Sequence, residues 1–410
     1  MRKVDEIRAL FPILDRKVEG KDLVYFDNAA TSQRPRSVLD LQQELCSRSN
    51  ANIHRAVHTL SMEATEAYEK GRDAVRDFLG AESREEIILT SGTTASINLV
   101  AHCFAAAGFL KNGDKVLLSA AEHHSNIVPW QIACQATGAG LKVLEVEPDG
   151  TIDLQKFSDS LTDDVKMVAV AHVSNILGVV NPVKQMVAVA HSKGIPVLVD
   201  GAQGVTHLKV DVTDIDCDFY AFSGHKIYAP TGIGVLYGKK EWLEKLPPYM
   251  GGGDMVESVS FEKTVYADLP LKFEAGTANY VAAACLRPAL EIAGELASDA
   301  AVATHEKELM AAMESALGSI NGVKVAGIDA PERIPLYSFT IEGVHPLDAA
   351  MLIDKMGVAL RSGHMCAEPI VRRLTGGSSM LRASLMPYNT VGEVEVFARA
   401  LARVVIMLRQ

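Results

Sequence analysis

From about residue 20 to residue 240 the chain alternates short, wholly apolar runs with helical stretches. EEIILTSGTT reads as a strand entering a glycine turn, and ASINLVAHCFAAA continues it as a helix. DKVLLSAAEHHSN, GLKVLEVEPDG, VKMVAVAHVSN, IPVLVDGAQG, CDFYAFSGHK and GIGVLYGKK repeat the theme, and LVYFDNAA is a short extended lead-in. Strands without a polar face, separated by helices, predict a mainly parallel sheet covered on both sides. After about residue 245 the pattern changes. A glycine-rich connection, PPYMGGGDMV, leads to the helical stretches FEAGTANYVAAACLRPALEIAGELA and HEKELMAAMESALGSI. Strands near VKVAGI and LYSFTIEG, with a closing amphipathic helix in VGEVEVFARALARVVIMLRQ, predict a smaller α+β unit.

Polar residues gather where the apolar strands end: Thr90 to Thr94, Glu122 to Asn126, Asn175, Asp200 to Gln203, and Ser223 to Lys226. In open α/β sheets that edge binds ligands. SGTT, with Thr93 and Thr94 opening a helix, is either an ordinary N-cap or a phosphate cradle of N–H groups and hydroxyls. Asp200 either caps a turn or meets a cationic group, with Gln203 beside it. Lys226 is either a solvated turn residue or a Schiff-base lysine activated by desolvation, and Ser223 and His225 offer anion contacts. His123 and His124 form a surface or metal-binding pair, or one supplies a flat ring that stacks on a cofactor and moves protons. Adjacent histidines diverge, so one is expected to matter more. Together these parts meet the needs of pyridoxal phosphate: a lysine, a carboxylate for the pyridinium nitrogen, a phosphate cradle and a stacking ring.

Length and charge narrow the class. A chain of 410 residues suggests two or three structural units. A net charge of −11, without a basic run, disfavours nucleic acid and anionic membrane as partners. The first residues lack a signal-like apolar stretch and no run approaches the ~18 apolar residues of a membrane span, so a cytoplasmic location is the default expectation. Cys46, Cys103, Cys134, Cys217, Cys285 and Cys366 show no C-x-x-C spacing. They read as free thiols, mostly buried and inert, with no metal site. RSGHMCAEP, Arg361 to Pro369, is the odd one: a thiol beside an arginine and a histidine in a loop.

YFDNAATSQRP, NANIHRAVHTLS, HHSNIVPWQ, HVSNILGVVNPV, VLVDGAQ, DCDFYAFSGHKIYAPTGIGVLYG, FEAGTAN, RSGHMCAEP and RASLMPYNT occur in this order from about residue 23 to 390. On them the sequence resembles the SUF-type (group II) cysteine desulfurases, class V, fold-type I pyridoxal-phosphate enzymes related to selenocysteine lyases. The resemblance implies an α/β fold with a large domain around a mainly parallel seven-stranded sheet, residues 17–290. Residues 1–16 with 291–410 would form the small domain that carries the cysteine loop. It implies pyridoxal 5'-phosphate held covalently on Lys226, with Asp200 at the pyridinium nitrogen, His123 stacked on the ring as an acid/base group, and Gln203 at the phenolic oxygen. Thr94, Ser223 and His225, with the backbone of Thr93, would hold the phosphate. Thr277 would reach it from the second subunit of a homodimer. Asn175, Arg382 and Arg361 would bind the substrate carboxylate, and His54 and Arg55 would stand at the mouth. L-Cysteine would yield alanine and a persulfide on Cys366, destined for a sulfur-acceptor protein of the SUF pathway serving iron–sulfur cluster assembly.

This chain has Met365 where many relatives place a second histidine, and Ser91 where many have arginine before the turn. Glu368, two residues from the thiol, is expected to raise the thiol pKa if the groups approach. Arg361 and His364 are its expected electrostatic neighbours. A selenocysteine lyase or an aminotransferase on the same scaffold are the rival readings.

Overall fold

The apolar runs between residues 87 and 238 lie side by side in one sheet in the computed structural model, which describes residues 3–409. Its strands are β1 (Ile87–Thr90), β2 (Lys115–Ser119), β3 (Gly140–Leu144), β4 (Val165–Ala171), β5 (Val197–Asp200), β6 (Phe219–Ser223) and β7 (Gly234–Gly238). The spatial order is β1-β7-β6-β5-β4-β2-β3. Only β7 runs against its neighbours, so the sheet is mainly parallel as expected.

Alternation explains why the runs are apolar throughout. In β6, Tyr220 and Phe222 enter one core with Val168, Val197 and Val235. Phe219 and Ala221 enter the other with Leu198 and the helix residues Ile97, Val100 and Phe104. Each strand needs apolar side chains on both faces because both faces are covered. β1, β2, β4, β5 and β6 all end at one edge, and β7 starts there, pairing Gly234 with Thr90 and Ser223.

The smaller sheet is antiparallel, in the order β8 (Val323–Val325), β9 (Leu336–Ile341), β11 (Met380–Ser384), β10 (Arg361–Gly363). Its core joins Tyr337, Phe339, Leu381 and Ala383 to Leu309, Met313, Phe397 and Leu401 from two helices. The N-terminal segment divides between the two bodies. Ile7, Phe11 and Leu14 pack into the large core, whereas Val24 and Phe26 pack into the small one. Residues 1, 2 and 410 of the expected small domain lie outside the described residues. Among the described residues no helix is long and apolar enough to cross a membrane.

Candidate active site

The strand ends enclose a cleft of about 230 Å³. Thr93, Thr94, His123, Asn175, Asp200, Gln203, Ser223, His225, Lys226, Arg361, Cys366 and Arg382 all line it.

One wall is the N-terminus of α1 (Thr93–Ala106). Its N-cap, Gly92, has φ of +152° and no capping side chain. A β-carbon on Gly234 would stand 2.2 Å from Gly92 Cα, so two glycines let this turn lie directly on β7. Ser223 Oγ accepts from Thr93 N–H and lies 2.8 Å from Thr93 Oγ1. Among the described residues the N–H of Thr94 meets no acceptor. A helix start with a free N–H, ringed by hydroxyls, has the donor set a phosphate needs. His225 stands beside it, and burial lowers its ring to about 4.

Across the cleft, Asp200 ends β5 and is buried. One carboxylate oxygen accepts from Ala202 N–H at 3.0 Å, and among the described residues no donor meets the other. A buried carboxylate left half-satisfied suits a ligand N–H, the role a pyridinium nitrogen fills. Burial raises its pKa, with Lys226 pulling it back. Lys226 closes the short helical turn after β6, and among the described residues no acceptor meets its amine. Burial lowers Lys226 to about 8 against the opposing pull of Asp200, and Arg382 pushes it the same way as burial.

His123 ends the β2 loop with its Nδ1 accepting from Ser125 N–H at 3.0 Å. That bond assigns the ring proton to Nε2. Burial, then Lys226, His124 and Arg382, lower the ring to about 3, so it stays neutral. Gln203 is buried and donates to Ala29 C=O at 2.8 Å.

The far wall holds three charged groups. Arg361 on β10 pairs directly with Arg382 on β11. Like charges so placed repel. Asp27, from the YFDNAA stretch, stands between them: its carboxylate is 3.4 Å from Arg382 and 3.9 Å from Arg361. Arg382 is buried, donates to Asn175 C=O at 3.0 Å, and leaves Nε without a partner. Close charge-assisted bonds run at about 2.7–2.9 Å, so Asp27 balances charge while leaving guanidinium donors open to another anion. No local pattern marks Asp27 in the sequence, because its two partners lie more than three hundred residues away in the chain.

Cys366 is exposed at the rim, on a loop between β10 and α2 (Glu368–Thr375). Met365 and Cys366 both adopt left-handed backbone angles, φ 48° and 54°. Asn175 Nδ2 donates to Met365 C=O at 2.8 Å and His124 N–H donates to Cys366 C=O at 2.6 Å. Of the other cysteines only Cys46 is exposed, and it lies outside the cleft. Burial pushes Cys103 and Cys285 up to about 12.

Several expectations about this loop change. Glu368 does not bear on the thiol alone: it pairs with Arg372 one turn along α2 at 2.6 Å, and Arg372 holds its carboxyl below the usual range. Cys366 shares the cleft with two buried cations, Lys226 and Arg382, both of which its charge favours, and with Arg361, which also faces Asp27. Thr277 does not line this cleft. It lines a second cavity with Ser91, Ala95 and Glu274, behind the same turn that carries Thr93. His54 bonds Glu69 and Arg55 pairs with Asp254, so neither reaches the cleft of its own chain. Among the described residues no cluster of three or more His, Cys, Asp or Glu could hold a metal ion.

Residues 24–397 match the aminotransferase class-V family model. A cysteine desulfurase of Synechococcus elongatus is 44% identical over 98% of this chain, which spans 63% of that longer protein. A probable cysteine desulfurase of Halalkalibacterium halodurans is 44% identical over 97% of both chains. The crystal structure of the cysteine desulfurase CsdA (S-sulfonic acid) from Escherichia coli superposes with a TM-score of 0.90, at 37% identity and 99% coverage of each chain.

Proposed function

The chain belongs to the class-V aminotransferase family and within it to the cysteine desulfurases, and on that premise we propose that it moves sulfur from L-cysteine to Cys366, with Lys226 as the covalent anchor of pyridoxal phosphate. The observation that carries this reading is the position of an exposed thiol in the same cleft as an acceptor-free lysine and a half-satisfied buried aspartate.

The residues present fit the cofactor. Thr94 N–H, the hydroxyls of Thr93, Thr94 and Ser223, and His225 would hold its phosphate. The free oxygen of Asp200 would accept from its ring nitrogen. The neutral His123 ring would cover one face and offer an Nε2–H. Bound there, the cofactor supplies an electron sink beside the substrate Cα.

Arg382 and Arg361, with the amide of Asn175, would hold the amino-acid carboxylate, which can share or displace Asp27. Lys226, already lowered toward neutrality, removes the Cα proton and returns it. His123 is ill suited to that shuttle. Its Nδ1 lone pair is engaged by Ser125, and its environment opposes the charged ring. Its work is stacking and hydrogen bonding. Cys366 attacks the substrate sulfur as thiolate; the S–S bond forms, the Cβ–S bond breaks, and the carbon product takes up a proton as alanine.

We place the persulfide at the start of a SUF-type route to iron–sulfur clusters in the cytoplasm, with a thiol of an acceptor protein as next carrier. The exposure of Cys366 supports transfer to an outside partner. A homodimer is our reading of Thr277, whose cavity backs on the phosphate turn but does not open to the cleft of its own chain.

The direct test is incubation of holoenzyme with L-cysteine. Alanine should appear in step with persulfide, and sulfide should follow once a thiol reductant is added. 3-Mercaptopyruvate, the keto acid of cysteine, with a pyridoxamine-form enzyme would instead indicate an aminotransferase. Selenocysteine turnover without a persulfide on Cys366 would indicate a selenocysteine lyase.

Arg382→Lys keeps the charge but loses the planar fork. Its kcat/KM for L-cysteine is expected to fall roughly 10–100-fold, the worth of one hydrogen bond to a charged group, mainly through KM. An unchanged KM would remove Arg382 from substrate binding.

A further inference from the structure

His123 and His124 are neighbours that serve different bodies of the molecule. Their ring centroids lie 6.3 Å apart and their planes differ by 48°. His123 faces the cleft, and His124 turns to the cysteine loop. His124 Nε2 accepts from Glu368 N–H at 3.1 Å, in the first turn of α2. The N-cap of that helix is Ala367, which has no side-chain acceptor, so the capping place is filled from a position 244 residues earlier in the chain. The backbone N–H of the same histidine holds Cys366 C=O at 2.6 Å.

These ties matter because the loop is strained. Left-handed angles at two successive residues with β-carbons persist only where the surroundings over-determine them. Here the surroundings are the two His124 bonds and the Asn175 amide on Met365 C=O. Without the ring, the start of α2 loses its cap and the loop can relax toward extended angles, which moves the thiol.

We propose that the His124 ring is a positioning residue for sulfur transfer: it holds Cys366 within reach of the substrate sulfur while touching neither substrate nor cofactor. This rests on the desulfurase reading above. It separates two half-reactions. Removal of the Cα proton needs Lys226 and no thiol, whereas formation of the S–S bond needs the thiol in place.

The test compares holoenzymes carrying His124→Ala and His124→Gln with the wild type. One rate is exchange of the Cα hydrogen of L-alanine in deuterated water. The other is persulfide formation on Cys366 in a single turnover with L-cysteine, read by mass. His124→Ala should slow persulfide formation about 10–100-fold, the scale of an ångström-sized misplacement, and leave exchange within about twofold. His124→Gln, whose amide oxygen can accept from Glu368 N–H, should recover most of the loss. Equal losses in both rates, or a glutamine variant as slow as alanine, would overturn the proposal. A wild type that exchanges alanine but forms no persulfide would overturn the desulfurase reading and this inference with it.

Discussion

Cys366→Ala is expected to lower sulfur release from L-cysteine by about 10³-fold or more, while cofactor binding and the substrate-induced change in cofactor absorbance survive. The nucleophile has no substitute. Cys103, Cys134, Cys217 and Cys285 are buried, and Cys46 lies outside the cleft. The cofactor should be indifferent, because the Cys366 side chain makes no hydrogen bond to the groups that would hold it. Lys226 and Arg382 should register the change, since a thiolate at 366 favours both cations. Alanine yield and the mass of the recovered protein measure the outcome. Alanine formed from L-cysteine within about tenfold of the wild-type rate would place the sulfur chemistry elsewhere.

Lys226→Ala is expected to cost more, on the order of 10⁴-fold or beyond, because it removes the proposed covalent anchor and the proposed proton carrier together. Both substrate turnover and alanine exchange should vanish, unlike in the Cys366 variant. Lys226 also makes a pH prediction. The unprotonated amine is the form that can bond to an aldehyde. With its pKa lowered to about 8, uptake of pyridoxal phosphate by the apoprotein should accelerate as pH rises and level off above that value. An ordinary lysine would continue to gain for another two units or so. A midpoint near 10 in the reconstitution rate would show that the cleft does not desolvate Lys226.

The sheet was legible because its signal is local and repeated. A strand covered on both faces must be apolar at every position, so the runs around Val168, Val199 and Phe222 announce themselves. Their polar ends then mark the ligand edge, and Asp200 and Lys226 are visible there by position alone. Other features arise from pairings between remote segments. Arg361 and Arg382 meet only through the register of β10 and β11, and Asp27 reaches them from the opposite end of the chain. No periodicity marks such a meeting. His124 was visible as a histidine but not as a cap, since its partner is a backbone N–H of Glu368. The Glu368–Arg372 pair is different. Its four-residue spacing on a helix is a local pattern, legible in the sequence once α2 is recognised as a helix.

The ties at the cysteine loop also order the molecule in time. Asn175 and Met365 are separated by 190 residues, Asn175 and Arg382 by 207, and His124 and Glu368 by 244. Contacts of such span close late in folding, after the local helices and the nearer strand pairs. During synthesis, residues 361 to 382 follow the strands that carry Asp200 and Lys226. A cofactor cradle can therefore exist before the reactive thiol has its place. On the proposed function, cofactor binding is then expected to precede sulfur transfer, which waits until residues 361–382 have docked.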